Sequence, residues 1–141
     1  MPETKDIKYV NTPPTNGIYE KAQKKWGVDF DKGIIFTYGN TIYSKIPLTP
    51  DLIVHETTHV RQHAEYKGGP KKWWDRYLED DEFRLSQEVE AYKAQYKWFL
   101  KNEPDREKCH LALHGIALLL SGPMYGNLLP YRKVVRRIKF K

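Results

Sequence analysis

Two of the five histidines stand four residues apart, in the run His55-Glu56-Thr57-Thr58-His59. In a helix, residues i and i+4 sit one turn apart on the same face. Both imidazoles can then reach a single metal ion. A shift of one residue would swing one ring away by roughly 100°. Two imidazoles, a third protein ligand and an open position for water are what a catalytic zinc ion takes. Glu56 would lie beside that open position. There a carboxylate can draw a proton from the bound water and pass it to a leaving amine. The residues therefore predict one Zn2+ per chain, held by His55 and His59, with Glu56 as general base.

The third ligand has three candidate sources. His63 continues the stripe, but in an unbroken helix it lies about 12 Å along the axis from His55. No glycine in Val60-Arg61-Gln62 breaks the helix to bring it back, so His63 is expected to be exposed or to support a ligand from behind. A glutamate from the segment 82–100 is the second source. Leu85, Val89, Tyr92, Tyr96 and Phe99 mark its buried stripe. Glu88 falls at the edge of that stripe, and Glu90 falls off it among Arg84, Lys93 and Lys97. A ligand must point inward, which favours Glu88. The third source is His110 or His114, four apart on an apolar helix, where a core role is the simpler account.

The elements that must position these groups are legible in outline. Residues 1–16 read as an extended lead-in broken by Pro13-Pro14, and 17–26 as a short helix ending at Gly27. Residues 34–38 and 41–46 flank Gly39-Asn40 as a β-hairpin. Thr49-Pro50-Asp51 starts the helix that carries the histidines, running to about Tyr66 before Gly68-Gly69-Pro70. Further helices are expected near 71–79, 82–100 and 106–121. Residues 132–141 form a basic tail suited to a strand or a short helix. The expected fold is α+β: a single domain over 1–141, mainly helical, with a small antiparallel hairpin or sheet beside the zinc helix. The strand 41–46 directly precedes that helix, and an edge strand there can pair with an extended peptide.

Composition narrows the class. Hydrophobic residues make up 40% and charged residues 30% of the 141 residues, which excludes a disordered chain. With Cys109 as the single cysteine, no intrachain disulfide can form, and the core or a metal must hold the fold. The N-terminal stretch has no apolar core of a signal peptide, and Leu111 to Leu120 is too short to span a bilayer. A cytoplasmic protein is expected. The net charge of +6 is uneven, since residues 101–141 hold nine bases and three acids. Arg132, Lys133, Arg136 and Arg137 are the candidate contacts to a polyanion, a nucleic acid or an acidic partner.

The pair of segments His55-Glu56-Thr57-Thr58-His59 and Glu88-Val89-Glu90-Ala91-Tyr92 resembles the gluzincin type of zinc metallopeptidase. The resemblance implies Glu88 as third ligand and Ala91 as the small residue that follows it. Tyr92 stands where an aspartate or asparagine is common in that clan, a residue that often steadies a ligating histidine. Over residues 27–127 the chain also resembles short, uncharacterised peptidase-like proteins of phage type. That likeness rests on Lys32 through Asn40, His55 through Gln62, Glu88 through Tyr92, and Ser121-Gly122-Pro123-Met124-Tyr125-Gly126. It implies host cytoplasm or virion as the setting, and a small sheet beside the zinc helix with the second ligand helix packed across it.

A peptidase must also stabilise an oxyanion, and zinc is usually helped by a Tyr, His or Arg. Tyr125 and His114 are the candidates. Trp73-Trp74 can line a pocket, although helix packing is the simpler account. The expected function is a zinc-dependent hydrolase, a peptidase acting on peptide or protein substrates. In it, water on zinc, activated by Glu56, attacks a peptide or amide carbonyl. The rival is a non-catalytic module, stabilised by zinc, that binds through its basic tail.

Overall fold

Gly39 and Asn40 reverse the chain between two strands, β2 (Phe36–Tyr38) and β3 (Thr41–Tyr43). Gly39 takes φ 61°, a value that side chains disfavour and that two-residue hairpin turns need. The antiparallel register sets Phe36 against Tyr43 and Tyr38 against Thr41. Both strands are shorter than the runs 34–38 and 41–46. The computed structural model describes residues 6–140. Within them a third strand, β1 (Lys8–Val10), runs parallel to β3, giving the order β1-β3-β2. The lead-in expected to be merely extended is thus partly a sheet strand, and its first five residues lie outside the described residues. The sheet is mixed rather than purely antiparallel. Its central strand is β3, so the strand at 41–43 has no free edge to offer a peptide; β1 and β2 are the edges.

Six α-helices make up most of the described residues: α1 (Ile18–Trp26), α2 (Pro50–Glu65), α3 (Gly69–Glu79), α4 (Asp81–Asn102), α5 (Arg106–Leu120) and α6 (Tyr131–Lys139). Their bounds follow the sequence signals closely. Pro50 opens α2, where its missing N–H costs nothing. Thr49 does not cap it, because its hydroxyl donates to Asp51 Oδ1 at 2.6 Å instead. Asp80 and Asp105 do cap α4 and α5, accepting from Phe83 N–H and Glu107 N–H. The basic tail is a helix, α6, docked by Val134 and Ile138, which are 0% and 1% exposed. Each such burial contributes on the order of 1.5–3 kcal/mol. Lys141 lies outside the described residues. Among those residues, no helix is long and apolar enough to cross a membrane.

Two clusters of buried side chains flank α2. One is aromatic, built from Trp73, Trp74 and Tyr77 of α3 with Phe36, Phe83, Phe30 and Ile18. The other is mainly aliphatic and joins α4, α5 and α6 through Leu85, Leu113, Ile116, Leu120, Val134 and Ile138. α2 packs along α4 and also touches α3 and β2. Its own buried residues are His55, Glu56, His59, Gln62 and His63, with Val60 the lone apolar one. Burying that many polar groups is costly unless each is paired, so the buried face of α2 is built for something other than packing.

Candidate metal centre

α2 and α4 cross so that Glu88 meets the two histidines of the motif. Glu88 Oε1 lies 3.1 Å from His55 Nε2, and Glu88 Oε2 lies 3.3 Å from His59 Nε2. One ligand atom from each of the three residues falls within 4.8 Å of the others, and all three are buried. Tetrahedral zinc with bonds near 2.0–2.1 Å places its ligand atoms roughly 3.3 Å apart. Each histidine nitrogen lies near that distance from one oxygen of Glu88, Oε1 for His55 and Oε2 for His59, and two imidazoles with a carboxylate are a donor set that fits a metal ion.

The groups behind the ligands fix which atoms face the ion. Gln95 Nε2 donates to Asp51 Oδ2 at 2.8 Å, which turns its carbonyl toward His55 Nδ1 at 3.0 Å. Gln62 Nε2 donates to Glu90 Oε1 at 2.7 Å and to the Gln87 carbonyl at 3.1 Å, which turns its carbonyl toward His59 Nδ1 at 2.8 Å. Each imidazole must therefore carry its proton on Nδ1, leaving Nε2 for the metal. Tyr77 donates to Glu88 Oε2 at 2.6 Å. Tyr92 packs edge-on against His55 with ring centroids 4.3 Å apart.

Glu88 and Glu90 thus have separate tasks. Glu88 is 6% exposed and sits on the histidines. Glu90 is exposed, pairs with Arg61 at 2.9 Å and holds Gln62. Replacing Gln95 by Ala should weaken zinc binding about 10–100-fold, read by competition with a chromophoric chelator. An unchanged affinity would mean that His55 needs no such support.

The electrostatics suit a cation. Burial alone would raise the Glu88 carboxyl, but His59 and His55 outweigh it and hold it well below the usual carboxylate range. Burial alone would lower His59, but Glu88, aided by Glu56 and Gln62, raises it from 6.5 to about 9. The metal-free site therefore stores a proton on His59 at neutral pH. Zinc must displace it, so the apparent affinity should climb about tenfold per pH unit up to about pH 9 and then level off. Calorimetry at pH 7.5 in buffers of different ionisation enthalpy should show about one proton released per zinc. Release of none would contradict this pairing.

Glu56 sits beside the ligands without joining them. Its Oε2 is 3.8 Å from His55 Nε2 and its Oε1 accepts from Thr37 Oγ1 at 2.9 Å. A cavity of about 260 Å³ opens over His55, Glu56, His59 and Glu88, walled by Trp73, Trp74 and Tyr125 among others. Tyr125 reaches it from a short 3-10 turn, Pro123–Tyr125. Burial, then Glu88, push its hydroxyl well above the ordinary range, so it stays a donor.

Other sequence candidates lie elsewhere. His114 faces solvent on α5, 2.6 Å from the Tyr131 hydroxyl, and takes no part in lining the cavity. His110 is likewise exposed. His63, expected to be exposed or supporting, is 1% exposed. It accepts from Gly39 N–H at 3.0 Å and lies against Trp73 at 4.3 Å. Burial and neighbouring His59 lower its pKa to about 3, so it is a neutral link between α2 and the hairpin turn. Arg84, grouped above with Lys93 and Lys97 away from the buried stripe, is 4% exposed; at 100° per residue it stands only about 40° from Glu88. Its guanidinium lies 4.0 Å from the Trp26 ring and 4.1 Å from Tyr125, and Nη1 donates to the Met124 carbonyl at 2.7 Å. It holds the turn that delivers Tyr125.

Thr37, Gln62, Tyr77 and Gln95 join the site without being marked by any motif in the sequence. Spacing carried a usable signal for two of them: Gln95 lies two turns beyond Glu88 on the same face, and Gln62 one turn beyond His59. No family model matches the chain, and no curated protein or solved structure matches it either.

Proposed function

We propose that the chain is a zinc-dependent hydrolase of gluzincin type, and that the bond it cleaves is a peptide bond. One observation carries this reading: a buried His-His-Glu group whose nitrogens are oriented by amides, with an additional carboxylate, Glu56, beside it on the cavity floor. A purely structural zinc site closes its coordination with four protein ligands. Three ligands and a free carboxylate facing a cavity are what hydrolysis uses.

Bound zinc would supply a Lewis acid and bring the pKa of coordinated water toward about 7. The chain's own residues do the rest. Glu56 receives a proton at Oε2 and hands it to the leaving amine, while Thr37 holds Oε1 and so fixes the carboxylate's orientation. Tyr125, kept protonated, donates to the oxygen on which negative charge develops. Trp73 and Trp74 wall the cavity and limit water. A substrate strand would not pair with β2 at Thr37, whose carbonyl already accepts from Trp74 Nε1 at 2.9 Å. The chain just before it, Gly33 to Ile35, borders the cavity and is the expected contact for a peptide backbone.

Glu56→Gln is the test. Hydrolysis of a fluorogenic peptide library should vanish while zinc stays. A wild-type chain that holds zinc and cleaves nothing would favour the rival reading, a zinc-stabilised binding module using the bases of α6.

A further inference from the structure

The last carboxylic side chain in the sequence is Glu107; residues 108–141 contain seven Lys and Arg and no acid. Five of those bases, Arg132, Lys133, Arg136, Arg137 and Lys139, lie on α6, whose apolar residues Val134 and Ile138 point into the core. None of the five forms an ion pair among the described residues. They form a cationic surface, at whose end Lys139 borders a pocket shared with Glu103.

α5 supplies the complementary feature. Its core face is Cys109, Leu113, Ile116, Ala117 and Leu120. The opposite face exposes two leucines, Leu111 and Leu118, at 56% and 55%, with Glu107, His114 and Gly115 beside them. Two large apolar side chains one helical stretch apart on the same face are thus left to solvent. The leucine face and the basic face adjoin. α5 and α6 pack against each other and both against α4, so the surface runs from one helix to the next across the α5–α6 seam. His114, between Leu111 and Leu118, meets the Tyr131 hydroxyl at the start of α6. Exposed Met124, Leu128 and Tyr131 continue the apolar surface along the connection.

We propose that this face docks on an anionic lipid surface. Leu111 and Leu118 would enter the boundary between headgroups and acyl chains, and the bases of α6 would lie against lipid phosphates. A bilayer interface accommodates both features at once, and stable peripheral binding generally needs two such signals together. A nucleic-acid duplex would engage the bases but leave the leucines in water. A second copy would bring like charge against like charge.

The test is flotation of the full chain with vesicles of phosphatidylcholine containing about one third phosphatidylglycerol, against phosphatidylcholine alone. The chain should partition onto the anionic vesicles, about tenfold less onto the neutral ones, and less again as salt is raised. The double variant L111N/L118N should lose about tenfold in vesicle binding and bind duplex DNA as the wild type does. R132Q/R136Q/R137Q should lose both. Circular dichroism checks the fold, and the single variants L111N and L118N serve if the pair disturbs it. No partition onto anionic vesicles overturns the proposal. So does partition that ignores lipid charge or the leucine pair. A dimer dispersed by L111N/L118N, without vesicle binding, would assign the face to a second copy.

Discussion

Glu56→Gln should lower turnover of a cleaved peptide by about 10²–10⁴-fold and leave zinc content at about one per chain. The change is isosteric. The amide oxygen can still accept from Thr37 Oγ1, which now holds Glu56 Oε1 at 2.9 Å, so the side chain should stay where it is. Only its ability to take a proton is lost. Zinc should remain because Glu56 stands outside the group of three ligand atoms that lie within 4.8 Å of one another. Metal analysis and a peptide assay on the same preparation separate the cases. If zinc leaves together with activity, Glu56 is part of the metal's support rather than the base. If activity survives the substitution, the hydrolytic mechanism proposed above is wrong, whatever the metal does.

What could be read beforehand divides along physical lines. The histidine pair, the helix that carries it and the hairpin were legible because each depends on local pattern: an i,i+4 spacing, a proline start, a glycine turn. Glu88 was legible too, since helical phase places it inward and Glu90 outward. The parallel pairing of β1 with β3 joins residues more than thirty positions apart, and no local periodicity encodes such a partner. Arg84 was misplaced by its charge and not by helical phase, which sets it about 40° from Glu88; a guanidinium can be buried on aromatic faces, and here Trp26 and Tyr125 come from distant segments. His63 misled in the same manner, its partner being the backbone of Gly39. The amide supports, Gln62 and Gln95, carry neither charge nor strong hydropathy, so composition gave no reason to single them out. The apolar outer face of α5 was visible as a run of leucines, but exposure on one side could be assigned only once the core had been located.

Glu88→Ala should remove zinc, with affinity falling by more than about 100-fold, the upper end of what supporting residues alone cost. Glu90→Ala should keep it, since Glu90 touches Arg61 and Gln62 and not the ligand nitrogens. The contrast is diagnostic because the two glutamates are two residues apart on one helix and carry the same charge. A long-range field effect would treat them alike; direct ligation would not. Glu88→Ala also strips Tyr77 and His59 of an acceptor and leaves a small void, so Glu88→Gln is the companion variant that preserves volume. Both should abolish the His59 titration near pH 9, since the carboxylate that raises it is gone and burial is no longer outweighed. Histidine NMR on the metal-free proteins reads this directly. Retention of zinc in both Glu88 variants, with loss in Glu90→Ala, would move the third ligand to Glu90 and require α4 to be rotated from the position described.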